Sequence, residues 1–340
     1  MTAVRILGIE TSCDETGIGL VADGRTVLSN AVISSLQQHS PYGGVIPEIA
    51  ARSHVEAIWG VMGQALQDAH LPPESIDAIA VTQGPGLLGA LHIGLAFAKG
   101  LALALDRPLI PVDHLAAHLY AGQMADAEVE PPFIGLVVSG GHTLLCVVHP
   151  DCRFELLGET RDDAVGEAFD KVAKVLGLGY PGGPVIDKLS RTATADKKLF
   201  PRVQTKGTFD FSFSGLKTAV YQHVSRLKTA TPAGLSEPQV AHVAASFQET
   251  AVEALIAKTL KACQRTGMKT IVVGGGVACN SRLRARFAEE AAAHKLRAVF
   301  PPLALCVDNG AMIAGMGFPL LKLGRVAALS VASDPGLCLV

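Results

Sequence analysis

The sequence predicts an α/β protein made of two similar lobes with a cleft between them. The chain is 49% hydrophobic but only 5% aromatic, which is typical of tight helix–sheet packing. Short apolar runs alternate with longer helical segments, and each half opens with a strand–turn–strand unit. With 340 residues, the chain exceeds the size of about 250–300 residues at which single hydrophobic cores stop growing.

The first half begins with a predicted hairpin whose polar turn, residues 11–16, carries hydroxyls and acids. The apolar stretch 87–105 is interrupted by glycines and charges, so we expect a buried helix there rather than a membrane span. The predicted elements are strands at 4–10, 17–22, 76–81 and 109–112, and helices at about 88–105 and from residue 113 onward.

The second half repeats this opening with a hairpin whose turn is Ser139-Gly-Gly-His-Thr143. It predicts strands at 133–138, 144–148 and 270–273, and helices at 166–176, 237–262 and 309–316. Asp308 precedes the last helix, where an acid is favourable at the N-cap. We expect one lobe to comprise 1–112 plus 308–340 and the other to comprise 113–307.

Two histidines and an acid indicate a metal site. His114 and His118 are four residues apart, so a helix places both rings on one face. With Asp308 they match the composition of open ferrous centres, with zinc as a competitor. The alternative is a pair of histidines that caps or lines a core. Leu115 stands where the H-E-x-x-H motif has its glutamate, which argues against a metalloprotease.

Three glycine-rich turns follow apolar runs. The backbone N–H groups of Val138-Ser-Gly-Gly-His142 could line an anion, although an ordinary hairpin is the alternative. Gly274-Gly-Gly276 could approach an adenosine, with Asn280 as a nearby donor and acceptor. The Gly84-Pro-Gly-Leu-Leu-Gly89 match to a dinucleotide fingerprint favours close packing instead, and no P-loop motif is present.

Asp14 and Glu15 lie in the first hairpin turn. If the turn faces the cleft, either acid could bind a metal, orient water or act as a base; the alternative is a solvated turn.

Charge and cysteine content limit the class of protein. The net charge of −2 argues against a general nucleic-acid-binding surface. The stretches 188–217 and 261–297 are nevertheless rich in Lys and Arg, so they form either a solvated face or local basic surfaces that RNA could contact. Seven scattered cysteines without a C-x-x-C motif favour reduced thiols. The N-terminus turns polar too early for a signal peptide, so we expect a cytoplasmic protein.

Taken together, the motifs resemble one family along nearly the whole chain. They include Gly8-Ile-Glu-Thr-Ser-Cys-Asp-Glu-Thr16, His114-x-x-x-His118, Val138-Ser-Gly-Gly-His-Thr143, Tyr180-Pro-Gly-Gly-Pro184 and Asp308-Asn-Gly310. The resemblance is to the TsaD/YgjD family of tRNA threonylcarbamoyladenosine synthases. It implies the actin-like/Hsp70/sugar-kinase (ASKHA) fold, in which each lobe is a mixed sheet with flanking helices.

The resemblance also implies the chemistry. The expected reaction transfers a threonylcarbamoyl group from threonylcarbamoyl-AMP, an adenine nucleotide, to N6 of adenosine 37 in tRNAs that read ANN codons. His114, His118 and Asp308 match the metal ligands, with Fe(2+) expected. The residues that match substrate contacts are Val137, Val138, Ser139, Gly140, Gly141, Asp170, Gly183, Asp187 and Asn280.

The implied partners are tRNA, a degenerate paralogue of the same fold and a small ATPase, with no membrane. Three other readings compete. A sugar or acetate kinase of the same fold would not need both histidines. A non-enzymatic scaffold subunit would be expected to lack His114, His118 and Asp308. A protease lacks its catalytic base here.

Overall fold

The structure is a computed structural model that describes residues 3–203, 205, 207–230 and 234–339. Its contacts divide the chain into two compact units. The first comprises Met1–Glu130, Pro150–Arg153 and Pro301–Val340, and the second comprises Pro131–His149 and Phe154–Phe300.

The unit boundaries differ from the predicted lobes, because residues 113–130, 150–153 and 301–307 join the first unit. Helix α4 (His114–Ala125) packs against helix α11 (Gly310–Lys322). A side chain at Gly315 of α11 would collide with Tyr120 and Met124 of α4, so the two helices lie in close contact. Both helices that flank the predicted metal ligands therefore belong to one unit.

A mixed five-stranded sheet forms the centre of the first unit, in the order β3-β2-β1-β4-β5. The first three strands in that order are antiparallel, and β1, β4 and β5 are parallel. The strands are β1 (Arg5–Glu10), β2 (Glu15–Ala22), β3 (Thr26–Ser34), β4 (Ala78–Gly84) and β5 (Leu109–Asp113). The other helices of this unit are α1 (Leu36–His39), α2 (Pro47–Ala69), α3 (Leu88–Leu105) and α10 (Leu303–Cys306).

Helix α11 lies directly on the backbone of β1 and β2. Side chains at Gly8, Gly17 or Gly19 would collide with the first turn of α11 or with Asn309. Leu7 and Ile9 belong to a buried cluster that includes residues of α2 and α3. Because Gly8, Gly17 and Gly19 carry no side chains, the start of α11 can pack directly on the first hairpin, and Asp308 immediately precedes this helix.

The second unit repeats this sheet in the order β10-β9-β6-β7-β8, with the same pattern of antiparallel and parallel neighbours. The predicted repeat of architecture is confirmed. Its strands are β6 (Phe133–Val138), β7 (Thr143–Val148), β8 (Phe154–Glu159), β9 (Thr270–Gly274) and β10 (Arg297–Val299). Its helices are α5 (Val165–Val175), α6 (Gly182–Ser190), α7 (Ser214–Ala230), α8 (Glu237–Thr266) and α9 (Ser281–His294).

Helix α3 is less buried than the sequence predicts. Ala90, Leu91, Leu95 and Ala98 face the core, but Leu103 on the opposite side is 71% exposed. Among the described residues, α3 is the helix whose length and composition would allow it to cross a membrane, and 33% of it is buried. Core helices meet the same criteria, so this is weak evidence for a span.

Candidate active site

The two histidines meet at the start of α4, as predicted. His114 is its first residue, and Asp113 caps the helix by accepting hydrogen bonds from the backbone N–H groups of Leu115 and Ala116, at 2.8 and 2.9 Å. The rings of His114 and His118 lie edge to face with centroids 4.6 Å apart. Both side chains are buried. The i, i+4 spacing therefore produces one pair of imidazoles on one helix face.

Asp308 completes the cluster. Its Oδ1 lies 3.1 Å from His118 Nε2 and 3.5 Å from His114 Nε2. One ligand atom from each of the three residues can be chosen so that all lie within 4.8 Å of one another. The predicted convergence of these three residues is present, and all three belong to the first unit.

The sequence placed Asp308 at the N-cap of the last helix, and that expectation was wrong. The N-cap is Asn309, whose side-chain oxygen accepts a hydrogen bond of 2.9 Å from the backbone N–H of Met312. An amide is as effective a cap as a carboxylate. The cap is therefore supplied by Asn309, which leaves the Asp308 carboxylate facing the two imidazoles.

The donor set fits a divalent cation. Both ring nitrogens of His118 are buried and, among residues 3–203, 205, 207–230 and 234–339, find no hydrogen bond of acceptable geometry, although Asp308 Oδ1 is close to Nε2. Buried polar atoms normally have hydrogen-bond partners, so this exception requires an explanation. Two imidazoles and a carboxylate suit Fe(2+) or Zn(2+). A metal ion at Nε2 would account for one of the two unpartnered atoms.

The electrostatic environment favours positive charge. Burial raises the pKa of Glu15 to about 9, with further increases from the carboxylates of Asp308 and Asp14. Burial lowers the pKa of His114, but Glu10 and Asp308 raise it more, to about 10. Burial lowers the pKa of His118, and the neighbouring His114 lowers it further. The clustered carboxylates thus stabilise a cation here, whether a proton or a metal ion.

Glu10 is the residue that the sequence analysis missed. Its carboxylate is fully buried, and its Oε2 lies 2.8 Å from His114 Nδ1, on the opposite side of the ring from Asp308. Burial raises the pKa of Glu10, but the adjacent His114 lowers it more, so the pKa lies below its ordinary value. The available signal was a single acid directly after the apolar run 6–9 of β1.

The predicted catalytic acids lie in the turn between β1 and β2. Asp14 is buried, and within the described part of the chain its Oδ2 makes no hydrogen bond. Glu15 begins β2, and one of its carboxylate oxygens lies 3.3 Å from Ser34 Oγ, which donates to it. Asp14 is therefore not in the solvated turn that was the alternative interpretation.

The second unit holds the predicted hairpin of substrate contacts. Val137 and Val138 end β6, and the backbone N–H of Ser139 donates to the carbonyl of His142 at 2.8 Å. Side chains at Gly140 or Gly141 would meet no atom within 4 Å, so there is open space beside this turn.

Other substrate-contact candidates are bonded within the second unit. Asp170 accepts a 2.7 Å hydrogen bond from the backbone N–H of Gly182, next to Gly183 at the start of α6. Asp187 accepts from Ser281 Oγ at 2.8 Å and from Arg191 at 2.6 Å.

Asn280 is likewise occupied. It caps α9 by accepting from the N–H of Leu283 at 2.9 Å, and its Nδ2 donates to Gln248 at 2.8 Å. These side chains fix the local backbone.

The predicted basic surface is partly neutralised. Lys197 Nζ lies 3.2 Å from the buried carboxylate of Glu249 on α8, and Arg282 donates two hydrogen bonds to the same group. Arg286 contacts Glu249, Glu253, Glu289 and Glu290. Glu249 and Glu253 of α8 lie outside the basic stretches 188–217 and 261–297, so the sequence did not indicate that they contact these cations. Of the counted cations, Lys206 lies outside the described residues.

Comparison with known proteins decides the family. The family model for TsaD, tRNA N6-adenosine threonylcarbamoyltransferase, matches residues 26–315. A tRNA N6-adenosine threonylcarbamoyltransferase of Symbiobacterium thermophilum is 49% identical over 332 residues, covering 98% of this chain and 96% of the relative. The chain belongs to this family. One from Caldicellulosiruptor saccharolyticus is 46% identical over 335 residues and covers 98% of each chain.

The family makes this chain a transferase of tRNA modification, in the synthesis of N6-threonylcarbamoyladenosine. The kinase, scaffold and protease readings are set aside on this ground.

Solved structures agree with the fold. Full-length HypF in its phosphate- and nucleotide-bound form gives a TM-score of 0.62 at 15% identity, covering 94% of this chain and 46% of that chain. Component A of the (R)-2-hydroxyglutaryl-CoA dehydratase of Acidaminococcus fermentans gives 0.52 at 16% identity, covering 92% and 96%. The repeated mixed sheet is that of the ASKHA fold, as expected.

Proposed function

We propose that this enzyme transfers threonylcarbamoyl from threonylcarbamoyl-AMP to N6 of adenosine 37 in tRNAs that read ANN codons, using one divalent metal ion, expected to be Fe(2+). The observation that carries the metal requirement is the convergence of His114, His118 and Asp308, whose ligand atoms lie within 4.8 Å of one another. When bound, the metal ion would polarise the acyl carbonyl or bind the phosphate. No kinase machinery is needed, because AMP is already a good leaving group.

Asp14 is the residue that we assign as general base. Attack by the exocyclic amine requires removal of a proton, and a positioned carboxylate can accept it. Burial, Asp308 and Asp14 raise the pKa of Glu15 to about 9, which favours the protonated carboxyl at neutral pH. The buried Oδ2 of Asp14 makes no hydrogen bond to the residues that the structure describes. Glu15 then contributes a hydrogen-bond donor beside the base.

Substrate binding is assigned to the hairpin of the second unit. The backbone N–H groups of Gly140 and Gly141 would donate hydrogen bonds to the phosphate, and the open space beside these glycines allows close approach. Val137, Val138 and Ser139 lead into this turn. Gly183 and Asn280 would border the nucleoside. Asp170 and Asp187 would accept hydrogen bonds from sugar hydroxyls through lone pairs that their internal bonds leave available.

The decisive experiment is a transfer assay with preformed threonylcarbamoyl-AMP. Partner proteins are supplied, and the nucleosides of the product tRNA are separated by mass spectrometry. We expect modification of a tRNA with adenosine at position 37 and none when guanosine replaces it. Removing metal with a chelator should abolish transfer, and Fe(2+) should restore it. Equal transfer in the chelated enzyme would refute the metal requirement while leaving the transferase assignment in place.

The tRNA is assigned to the exposed cations of the second unit. Reversing the charges of Lys197, Lys198 and Arg202 should weaken binding and reduce its salt dependence, since each phosphate contact contributes about −0.7 to −0.9 to the slope. A matched control reverses three exposed cations of the first unit: Arg153, Lys322 and Arg325. An unchanged salt slope in the first variant would place the RNA elsewhere.

The paralogue of the same fold is assigned to an apolar face of α2 and α3. Trp59 is 69% exposed and packs edge to face on Phe97, with Val55 and Leu103 also exposed. Exposed apolar patches mark interaction sites. A partner with the same fold would present an equivalent helix pair. Trp59→Glu with Leu103→Glu should prevent co-elution with the paralogue, whereas Leu323→Glu, also at an exposed position, should not. Co-elution of both variants would refute this surface.

A small ATPase as third component and a cytoplasmic location complete the proposal. All seven cysteines are free thiols, which suits a reducing compartment.

A further inference from the structure

Glu10 has an unusual position for a carboxylate. It lies at the end of β1, where residues 6–9 are also buried, and its own side chain has no exposed surface. A buried carboxylate is costly unless it is hydrogen-bonded and paired with charge. The groups that contact the two oxygens of Glu10 must therefore offset the cost of burying its carboxylate.

Both oxygens of Glu10 are engaged. Oε2 accepts hydrogen bonds from Thr82 Oγ1 at 2.7 Å and from His114 Nδ1 at 2.8 Å. Oε1 accepts from the backbone N–H of Ser12 at 2.5 Å. The carboxylate thus joins β4, α4 and the turn that carries Asp14. Three contacts from three separate segments fix both its position and its rotation.

The contact with His114 determines which ring nitrogen can bind a ligand. A carboxylate at Nδ1 holds the proton on that nitrogen, so the lone pair of the neutral ring lies on Nε2. Nε2 faces Asp308 Oδ1 at 3.5 Å, within the metal cluster. Glu10 lies on the other side of the ring and is therefore placed as a support for the ligand rather than as a ligand.

We propose that Glu10 is a positioning residue of the metal centre: it selects the tautomer of His114, fixes the ring plane and, through Ser12, ties the Asp14 turn to the same group. Carboxylate–histidine–metal arrangements of this kind raise the basicity of the ligating nitrogen. The inference rests on the proposed metal site of this enzyme. It assigns to Thr82 the supporting role of holding Glu10 Oε2.

The test measures cobalt(II) binding to metal-free enzyme by competition with a chelator, together with the absorption spectrum of the cobalt-loaded protein. Glu10→Gln should weaken cobalt binding by about 10–100-fold, the usual cost of losing such a partner. Its spectrum at saturating cobalt should differ from that of the wild type, because the imidazole is no longer held in one orientation. Thr82→Val should weaken binding less, since it removes one of the bonds to Oε2.

Thr16→Val is the matched control for Thr82→Val. Thr16 is also a buried threonine of the same sheet, and its hydroxyl lies 2.8 Å from a histidine, His54 Nδ1, rather than from Glu10. We expect this variant to keep wild-type cobalt affinity and spectrum. Thermal unfolding of the metal-free proteins separates a loss of fold from a loss of binding.

The outcomes are distinct. Cobalt affinities of Glu10→Gln and Thr82→Val within about twofold of wild type would overturn the inference. If Glu10→Gln does not fold, the cobalt affinity of Thr82→Val compared with that of Thr16→Val decides whether the inference holds. If wild type and His118→Ala bind cobalt equally, the metal centre itself fails, and the role of Glu10 fails with it. Loss in His118→Ala with no change in Glu10→Gln refutes only the role of Glu10.

Discussion

The two units share one sheet topology but differ in how their candidate site residues are bonded. In the first unit, the ring nitrogens of His118 and the Oδ2 atom of Asp14 are buried and make no hydrogen bond of acceptable geometry to any described residue, although Asp308 lies beside His118. In the second unit, Asp187 and Asn280 are bonded to neighbours in the chain. Leaving a buried polar group unsatisfied costs about 1–3 kcal/mol, so the first arrangement is expected where a ligand restores the bonds. In the second unit, the internal hydrogen bonds of Asp187 and Asn280 hold the neighbouring backbone in a fixed position, which a ligand could then approach.

The largest expected effect is at the metal ligands. His118→Ala or Asp308→Asn should reduce threonylcarbamoyl transfer below detection while leaving a folded protein. A Lewis acid contributes several kcal/mol, and each loss of about 1.4 kcal/mol slows a reaction tenfold. The measurement is transfer from preformed threonylcarbamoyl-AMP, with circular dichroism to check the fold. The exposed His294→Ala is the control and should keep full activity. Full activity in His118→Ala would make the cluster structural.

The next effect concerns the unpartnered acid of the first hairpin turn. Asp14→Asn keeps the shape of the side chain but removes its charge, and a general base typically contributes about 10²–10⁴-fold. We expect kcat to fall by that factor with metal content unchanged. Undiminished transfer in Asp14→Asn would assign the base to Glu15, and Glu15→Gln would then have to show the loss.

In the second unit, two glycines allow the effect of a substitution on packing to be distinguished from its effect on ligand binding. Gly275 has φ +95°, and a side chain there would collide with the carbonyl of Val138. Gly275→Ala should cost about 1–3 kcal/mol from overpacking, measured by urea unfolding. Gly141→Leu enters open space, so its stability should equal that of wild type while nucleotide affinity falls. Unchanged nucleotide affinity in Gly141→Leu would remove the phosphate assignment from this hairpin.

The smallest effect is at Asn280. Asn280→Ala removes the N-cap of α9 and should cost about 0.5–2 kcal/mol of unfolding free energy. Asn280→Asp keeps an acceptor for the N–H of Leu283, so most of that stability should return. A nucleotide affinity that falls in both variants would support a direct contact. An affinity that follows stability alone would make Asn280 purely structural.

The sequence predicted the main elements and the pairing of the two histidines, but not the contacts between distant segments. Helical spacing brought His114 and His118 together correctly, because i and i+4 positions share a face. The contact of Glu10 with His114 joins residues 104 positions apart. This contact depends on the tertiary arrangement of β1 and α4, which cannot be inferred from a local sequence pattern.

Two further differences arise from long-range packing. Asp308 was expected at a helix cap, yet Asn309 takes that position, because either side chain is an adequate cap and only the tertiary contacts distinguish them. The cations near Lys197 were expected to be solvated or to contact RNA, but α8 places Glu249 among them. The charge of a short sequence stretch does not reveal an acid that another helix places next to it in the fold.

The most direct test of the metal centre is an anomalous difference map from crystals of the cobalt-loaded enzyme, recorded at the cobalt edge. We predict one peak bonded to His114 Nε2, His118 Nε2 and an oxygen of Asp308, at distances of about 2.0–2.3 Å. The His114 Nδ1 would remain on Glu10. A map without a peak at these three residues, or with its peak on other ligands, would contradict the account.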